Sequence, residues 1–334
     1  MAVIAYLPDS PESQTAEAIF RTVLYADVFH FPMTEAEIHH FLIGRAATRG
    51  EVHAALEHSV WLRKHLICSD GYYTLSPDGA ALRRQRETDS QRLWALAERY
   101  GRRLAHLPFV RMVALTGALA MRNPRHAHDD IDYLLVTTPG RVWLTRLLAV
   151  IVVRLARLRG VDLCPNFVLA ETALQQDRQD LYMAHEVAQM IPLAGFELYY
   201  AMREVNAWAD AYLPNARGPF YPTQDAAPKG IGRVLQHAAE VVLSTPLGNW
   251  LENWERRRKQ RKFAAQFSGA RSTARLDEDQ VKGHFNDNGL WVMEKYQERL
   301  NAYRFTHAER EQADRYPVMA GEIFAVSDER AEER

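Results

Sequence analysis

Val113-Ala-Leu-Thr-Gly-Ala-Leu-Ala-Met-Arg-Asn-Pro-Arg-His-Ala-His-Asp-Asp-Ile-Asp-Tyr-Leu-Leu-Val-Thr137 holds two apolar runs separated by a glycine turn and a polar spacer. The first run, Val110–Thr116, predicts a strand; Ala118–Arg122 predicts a short helix, and Ile131–Thr137 a second strand. Asp130 and Asp132 are two apart on extended chain, so both project from one face. Two neighbouring carboxylates raise each other's pKa unless a cation sits between them. Mg²⁺ suits the position, because it is a hard ion that takes one or two carboxylates together with phosphate oxygens. Gly117 lets the backbone approach a ligand closely, and the N–H groups that follow it can meet an anion. An anion cradle beside a metal-binding carboxylate pair is what a nucleoside triphosphate requires.

The flanks extend the pattern. Pro108 closes a preceding helix, Arg141–Arg159 predicts a helix, and Val161–Ala170 a third strand. The result is a strand–short helix–strand–helix–strand unit of about 60 residues. Leu115-Thr116-Gly117-Ala118, an eleven-residue spacer and Asp130-Ile131-Asp132-Tyr133 together resemble the signature of the polymerase-β-type nucleotidyltransferase superfamily. The resemblance implies that Gly117 and Ala118 contact the triphosphate and that Asp130 and Asp132 hold Mg²⁺. Ala118 departs from the usual Ser, leaving Thr116 or Asn123 to compensate, while Arg122 and Arg125 can neutralise phosphate charge. The family's third carboxylate, the base for the acceptor hydroxyl, falls on the next strand. Asp162, Cys164 and Asn166 share one face there, which makes Asp162 the expected base. Pro165 suggests an edge or a bulge, either of which can change that phase; if Asn166 is the equivalent instead, the acidic triad is incomplete, and Glu171, one residue past the strand, is a weaker candidate.

Upstream, Thr34/Glu37 and Thr48/Glu51 read as capping boxes, each opening a helix. Asp70-Gly71 between Leu62–Ile67 and Tyr72–Leu75 reads as a hairpin turn, with Arg63, Lys64 and His65 on its first arm. Helices followed by a hairpin make Ile19–Ser76 resemble a winged helix, a family that often binds DNA. The presumed recognition helix, however, sets Arg49 and His53 against Glu51 and Glu57, too balanced for strong phosphate contact. The expected organisation is a winged-helix-like domain over 1–78, a linking helix over 79–107, a nucleotidyltransferase-like α/β core over 108–174, a helical domain over 175–305 and an acidic tail over 306–334. The fold class is α+β with a small mixed sheet.

Composition bounds the rest. Hydrophobic residues are 47% and charged residues 25% of 334, the proportions of a globular protein. With 41 Lys and Arg against 42 Asp and Glu, no global pull toward nucleic acid or membrane follows. The two cysteines, Cys68 and Cys164, make no disulfide framework. The longest apolar run, Leu147–Val153, has seven residues, against the about 20 of a membrane span. A cytoplasmic protein without a membrane partner is expected.

Arg256–Lys262 is the most basic run, able to meet RNA, anionic lipid or an acidic partner, with a solvated helix face as the more economical reading. Phe196, Tyr199, Tyr200 and Trp208 form a helical stripe, read as core rather than a pocket wall. His284 and Asp287 read as turn and N-cap chemistry. The resemblance implies transfer of a nucleoside monophosphate from an NTP, ATP being the expected donor, by Mg²⁺-assisted attack of an acceptor on the α-phosphate. A small molecule is favoured as acceptor over protein or RNA. Two other readings stay open: a nucleotide-binding protein that has lost catalysis at Ala118 and Asn166, and a winged-helix DNA-binding regulator.

Overall fold

Four helices and a hairpin come first along the chain. In the computed structural model, which describes residues 11–267, 277–282 and 288–303, helix α1 (Pro11–Asp27) buries Ile19, Phe20, Val23 and Leu24. Thr34 and Thr48 open α2 (Glu35–His40) and α3 (Arg49–His58) as capping boxes. Each hydroxyl accepts the N–H three residues on, and Glu37 or Glu51 accepts the threonine N–H, which satisfies two orphan donors per helix. Asp70 and Gly71 take positive φ, 53° and 78°, and turn β2 (Ile67–Ser69) into β3 (Tyr72–Thr74). Strand β1 (Met33–Thr34) pairs on the other side of β3.

One expectation fails here. Arg63, Lys64 and His65 lie on a helix, α4 (Val60–His65), not on a hairpin arm. Ser59 caps it by accepting the Leu62 N–H, and Trp61 packs edge-on against Phe20, with ring centres 4.8 Å apart. Apolar contact with α1 outweighs the β propensity of the segment.

Helix α5 (Gly79–Ala105) then leads to the main sheet. Strand β4 (Val110–Thr116) pairs antiparallel with β5 (Ile131–Thr137), joined through the short α6 (Gly117–Ala120). Helix α7 (Val142–Arg157) crosses over to β6 (Leu163–Ala170), parallel to β5. These elements fall where the periodicity predicts, and the chain is α+β.

The stretch expected to be wholly helical is not. After α8 (Leu181–Gln189), residues Ile191–Ala194 form β7 on the free edge of β4, and after α9 (Phe196–Val205), α10 (Ile231–Leu243) and α11 (Pro246–Phe267), residues Gln280–Lys282 form β8 on β6. The sheet order is β7-β4-β5-β6-β8. Ile191 is in helical phase with Val187 and Ala188, but Pro192 is compatible only with an edge strand. The last helix is α12 (Asn288–Ala302). His284, Asp287 and residues 306–334 lie outside the described residues. Among the described helices none is long and apolar enough to cross a membrane.

Packing also crosses the expected boundary at residue 78. One core lies on the sheet face carrying Val113, Leu115, Tyr133 and Leu135, against Leu93, Tyr100 and Trp143 of α5 and α7. The other is continuous from Phe20 and Leu24 of α1 through Ala184 and Val187 of α8 to Met112, Leu134 and Val136 on the opposite face. The N-terminal helices and the sheet therefore share a core, and the cavity described next opens at that seam.

Candidate active site

The site begins at the end of β4. Gly117 has φ of +68°, a conformation costly for side chains with Cβ. A Cβ there would also come to 3.0 Å from Asp132 Cγ and overlap its carboxylate. Torsion and space both demand glycine. Antiparallel register sets Thr116 opposite Asp132, and parallel register sets Cys164 beside Asp132. Asp130, just before β5, completes a group in which one ligand atom from each of Asp130, Asp132 and Cys164 lies within 4.8 Å of the others.

The electrostatics of this group resist the build-up of negative charge. Burial, then the charges of Asp130 and Glu186, push the Asp132 carboxyl up to about 8, against the opposing hydrogen bond from Asn166. The Cys164 thiol is pushed up to about 11 by burial and by the same two aspartates. It keeps its proton at neutral pH and donates to Asn166 Oδ1 at 2.8 Å. Glu186 is pushed up to about 7 by burial, with the Tyr182 hydroxyl opposing. The paired carboxylate oxygens fit a hard divalent ion; a neutral thiol adds little to such a ligand set.

These groups floor a cavity of about 800 Å³. Its walls come from elements far apart in sequence: Thr22, Tyr25 and Phe29 from α1 and its end, Tyr182 and Glu186 from α8, and Trp291 from α12. That volume is in the range of small-molecule sites.

Of the residues singled out from sequence, Gly117, Ala118, Asn123, Arg125, Asp130, Asp132 and Asn166 line the cavity. Asn123 is committed elsewhere: its Oδ1 accepts from Arg86 at 2.6 Å and its Nδ2 donates to the Phe29 carbonyl at 3.2 Å. Thr116 is buried and is not among the lining residues. Arg122 is turned away. Its positive φ of 51° carries the guanidinium over Tyr221, 4.2 Å from the ring centre.

Asp162 is also displaced. It precedes β6 and pairs at 3.0 Å with Arg157 on the solvent side, and it is not among the cavity residues. The register of β5 against β6 jumps from Tyr133↔Pro165 to Leu134↔Phe167, so Asn166 is the extra residue of a bulge, and its amide donates to Asp132 Oδ1. Glu171 sits 3.8 Å from Arg111 and is likewise not among the lining residues. What sequence reasoning missed is Glu186. The only local hint is an ionisable pair, His185-Glu186, inside the otherwise apolar Ala184–Ala188 turn.

Comparison with protein families, curated proteins and solved structures finds no match to this chain.

The raised carboxyls give a pH dependence with a definite sign. A carboxyl whose pKa is higher folded than unfolded stabilises the fold below its unfolded value, and that contribution is lost as pH rises through the folded one. The metal-free protein is expected to lose stability between about pH 4 and 8 through Asp132 and between about pH 4.5 and 7 through Glu186. Adding Mg²⁺ is expected to raise Tm by several degrees at pH 8.5 and little at pH 5. Scanning calorimetry at both pH values with and without Mg²⁺ checks this; equal shifts at both would count against it.

Proposed function

We propose that this protein is a nucleotidyltransferase, transferring a nucleoside monophosphate from an NTP, with ATP as the expected donor, to a small-molecule acceptor. The observation that carries the reading is the Gly117 bend packed against Asp132, with Asp130 alongside, on the floor of an 800 Å³ cavity. Asp130 and Asp132 would hold Mg²⁺, which when bound supplies positive charge to the phosphate oxygens. Gly117 and Ala118 bring backbone rather than side chain to the same floor, so phosphates can approach closely.

Glu186 takes the role first expected of Asp162. A carboxyl titrating at about 7 is poised to accept the acceptor's proton near neutral pH. The aromatic wall of Tyr25, Phe29, Tyr182 and Trp291 suits a small acceptor with a flat or apolar part. One second reading, nucleotide binding without turnover, draws on Asn166, which occupies the bulge position beside Asp132 where the resemblance expects a carboxylate.

Incubation with Mg²⁺ and each α-labelled NTP, with small-molecule, protein and RNA acceptors in parallel, decides between them. Label transfer with pyrophosphate release is the expected result, and Glu186→Gln should lower it by about a hundredfold. Nucleotide binding by calorimetry with no transfer to any acceptor would favour the second reading.

A further inference from the structure

Helix α10 is built inside out. Its polar side chains face the protein: the Gln236 amide donates to the carbonyls of Ala105 at 3.0 Å and Leu107 at 2.8 Å. Glu240 accepts from Arg111 at 2.6 Å and from the Phe109 N–H at 2.8 Å. Those anchors fix the rotation of the helix and leave its apolar stripe outward, with Ile231 79% exposed and Val234, Leu235, Val241 and Val242 also exposed. Helix α11 follows after two residues and also exposes apolar side chains, Leu247, Trp250 and Trp254, the two indoles stacked with centres 6.2 Å apart. Such a stripe normally faces a core, and so many large apolar side chains left exposed on two consecutive helices mark a contact site.

The charge around it selects the partner. Helices α7, α10 and α11 carry ten Lys and Arg against three Asp and Glu, in a chain whose total charge is −1. All three acids are engaged: Glu240 as above, Glu252 with the N–H groups of Trp143 and Leu144 at 3.0 and 2.6 Å, and Glu255 with Arg258 at 2.7 Å; of the other cations, Arg157 pairs with Asp162 and Arg256 with Glu278. These helices therefore expose aliphatic side chains, a tryptophan pair and cations, among them Arg257 and Arg261, which lie three and seven residues beyond Trp254 on the same side of α11. From this we infer that α10 and α11 form a docking face for an anionic lipid bilayer, lying in its interface without crossing it. Tryptophan is at home at the headgroup level, and apolar burial with basic charge is the recipe for reversible surface binding.

The test is co-sedimentation of the full chain with vesicles of phosphatidylcholine containing a quarter phosphatidylglycerol, and with phosphatidylcholine alone. Binding to the anionic vesicles, a blue shift of tryptophan emission, and weakening by about tenfold in 0.5 M salt are expected. Arg257→Glu with Arg261→Glu should weaken binding by about tenfold or more. Leu235→Ser with Trp250→Ser and Trp254→Ser, all at exposed positions, should abolish the emission shift while the circular dichroism spectrum stays unchanged. Absence of vesicle binding at low salt overturns the inference, as does equal binding by either variant. A solution dimer dispersed by the serine substitutions, or RNA binding without vesicle binding, would assign the face to another partner and overturn it too.

Discussion

Asp130→Asn combined with Asp132→Asn is expected to abolish Mg²⁺-dependent nucleotide binding and to cut transfer by roughly a thousandfold or more, while the fold survives. Survival follows from the geometry. Asp132 receives the amide of Asn166, but its charge is opposed by burial, Asp130 and Glu186. An asparagine of nearly the same shape keeps the floor intact and removes that conflict. The metal-free variant should therefore be more stable than the parent at pH 8.5 and close to it at pH 5, the sign required by a raised carboxyl pKa. Two measurements check the pair of claims: calorimetric titration with NTP in the presence and absence of Mg²⁺, and Tm at both pH values. Undiminished transfer by the double variant would remove the proposed function. A variant that is less stable at high pH would show instead that Asp132 serves the fold rather than a cation.

How much of this could be read from the chain alone depends on how local each signal is. β4, β5, α7 and β6 are largely apolar elements of seven residues or more with Gly117 between the first two, so the heart of the sheet and the Asp130–Asp132 pair are legible. The capping boxes at Thr34 and Thr48 and the Asp70-Gly71 turn are equally local, each complete within a few residues. β7 and β8 have four and three residues, too few for a period to emerge, and they exist because the sheet edges accept them. Asp162 falls outside the cavity for a related reason. Alternation along Val161–Ala170 puts Asp162 with Asn166, but the bulge and the Arg157 pair take it out to solvent. Glu186 enters from a helix that only tertiary packing brings to the cavity, and no spacing relates it to Asp130 or Asp132. Arg122 fails through one torsion: a positive φ reverses the direction of a side chain that reads as a phosphate fork.

Arg83→Met is expected to destabilise the protein by about 3–5 kcal/mol, the cost of leaving one member of a buried ion pair alone. Arg83 is 1% exposed, as is its partner Glu37. The guanidinium donates to Glu37 at 2.7 Å, Glu87 at 2.9 Å and the Pro32 carbonyl at 3.0 Å, and it stacks 4.4 Å from the Phe31 ring centre. Glu37 also accepts the Tyr221 hydroxyl at 2.9 Å. One side chain on α5 thus ties together α2 and the segment before β1, and Glu37 extends the knot to Tyr221, 184 residues further along the chain. Methionine fills much of the volume but leaves Glu37 buried with no cation. Combining Arg83→Met with Glu37→Leu removes that buried carboxylate as well. The double variant should regain most of the lost Tm, about 10 °C for the single change, because a buried pair replaced by apolar groups costs far less than a broken one. Phe31 and Met33, which flank this knot, also line the cavity, so the single variant should bind nucleotide or acceptor more weakly even at temperatures where it is folded. A Tm within two degrees of the parent, measured by calorimetry at pH 7.5, would show that the knot contributes little and that the seam beside the cavity is held by apolar packing alone.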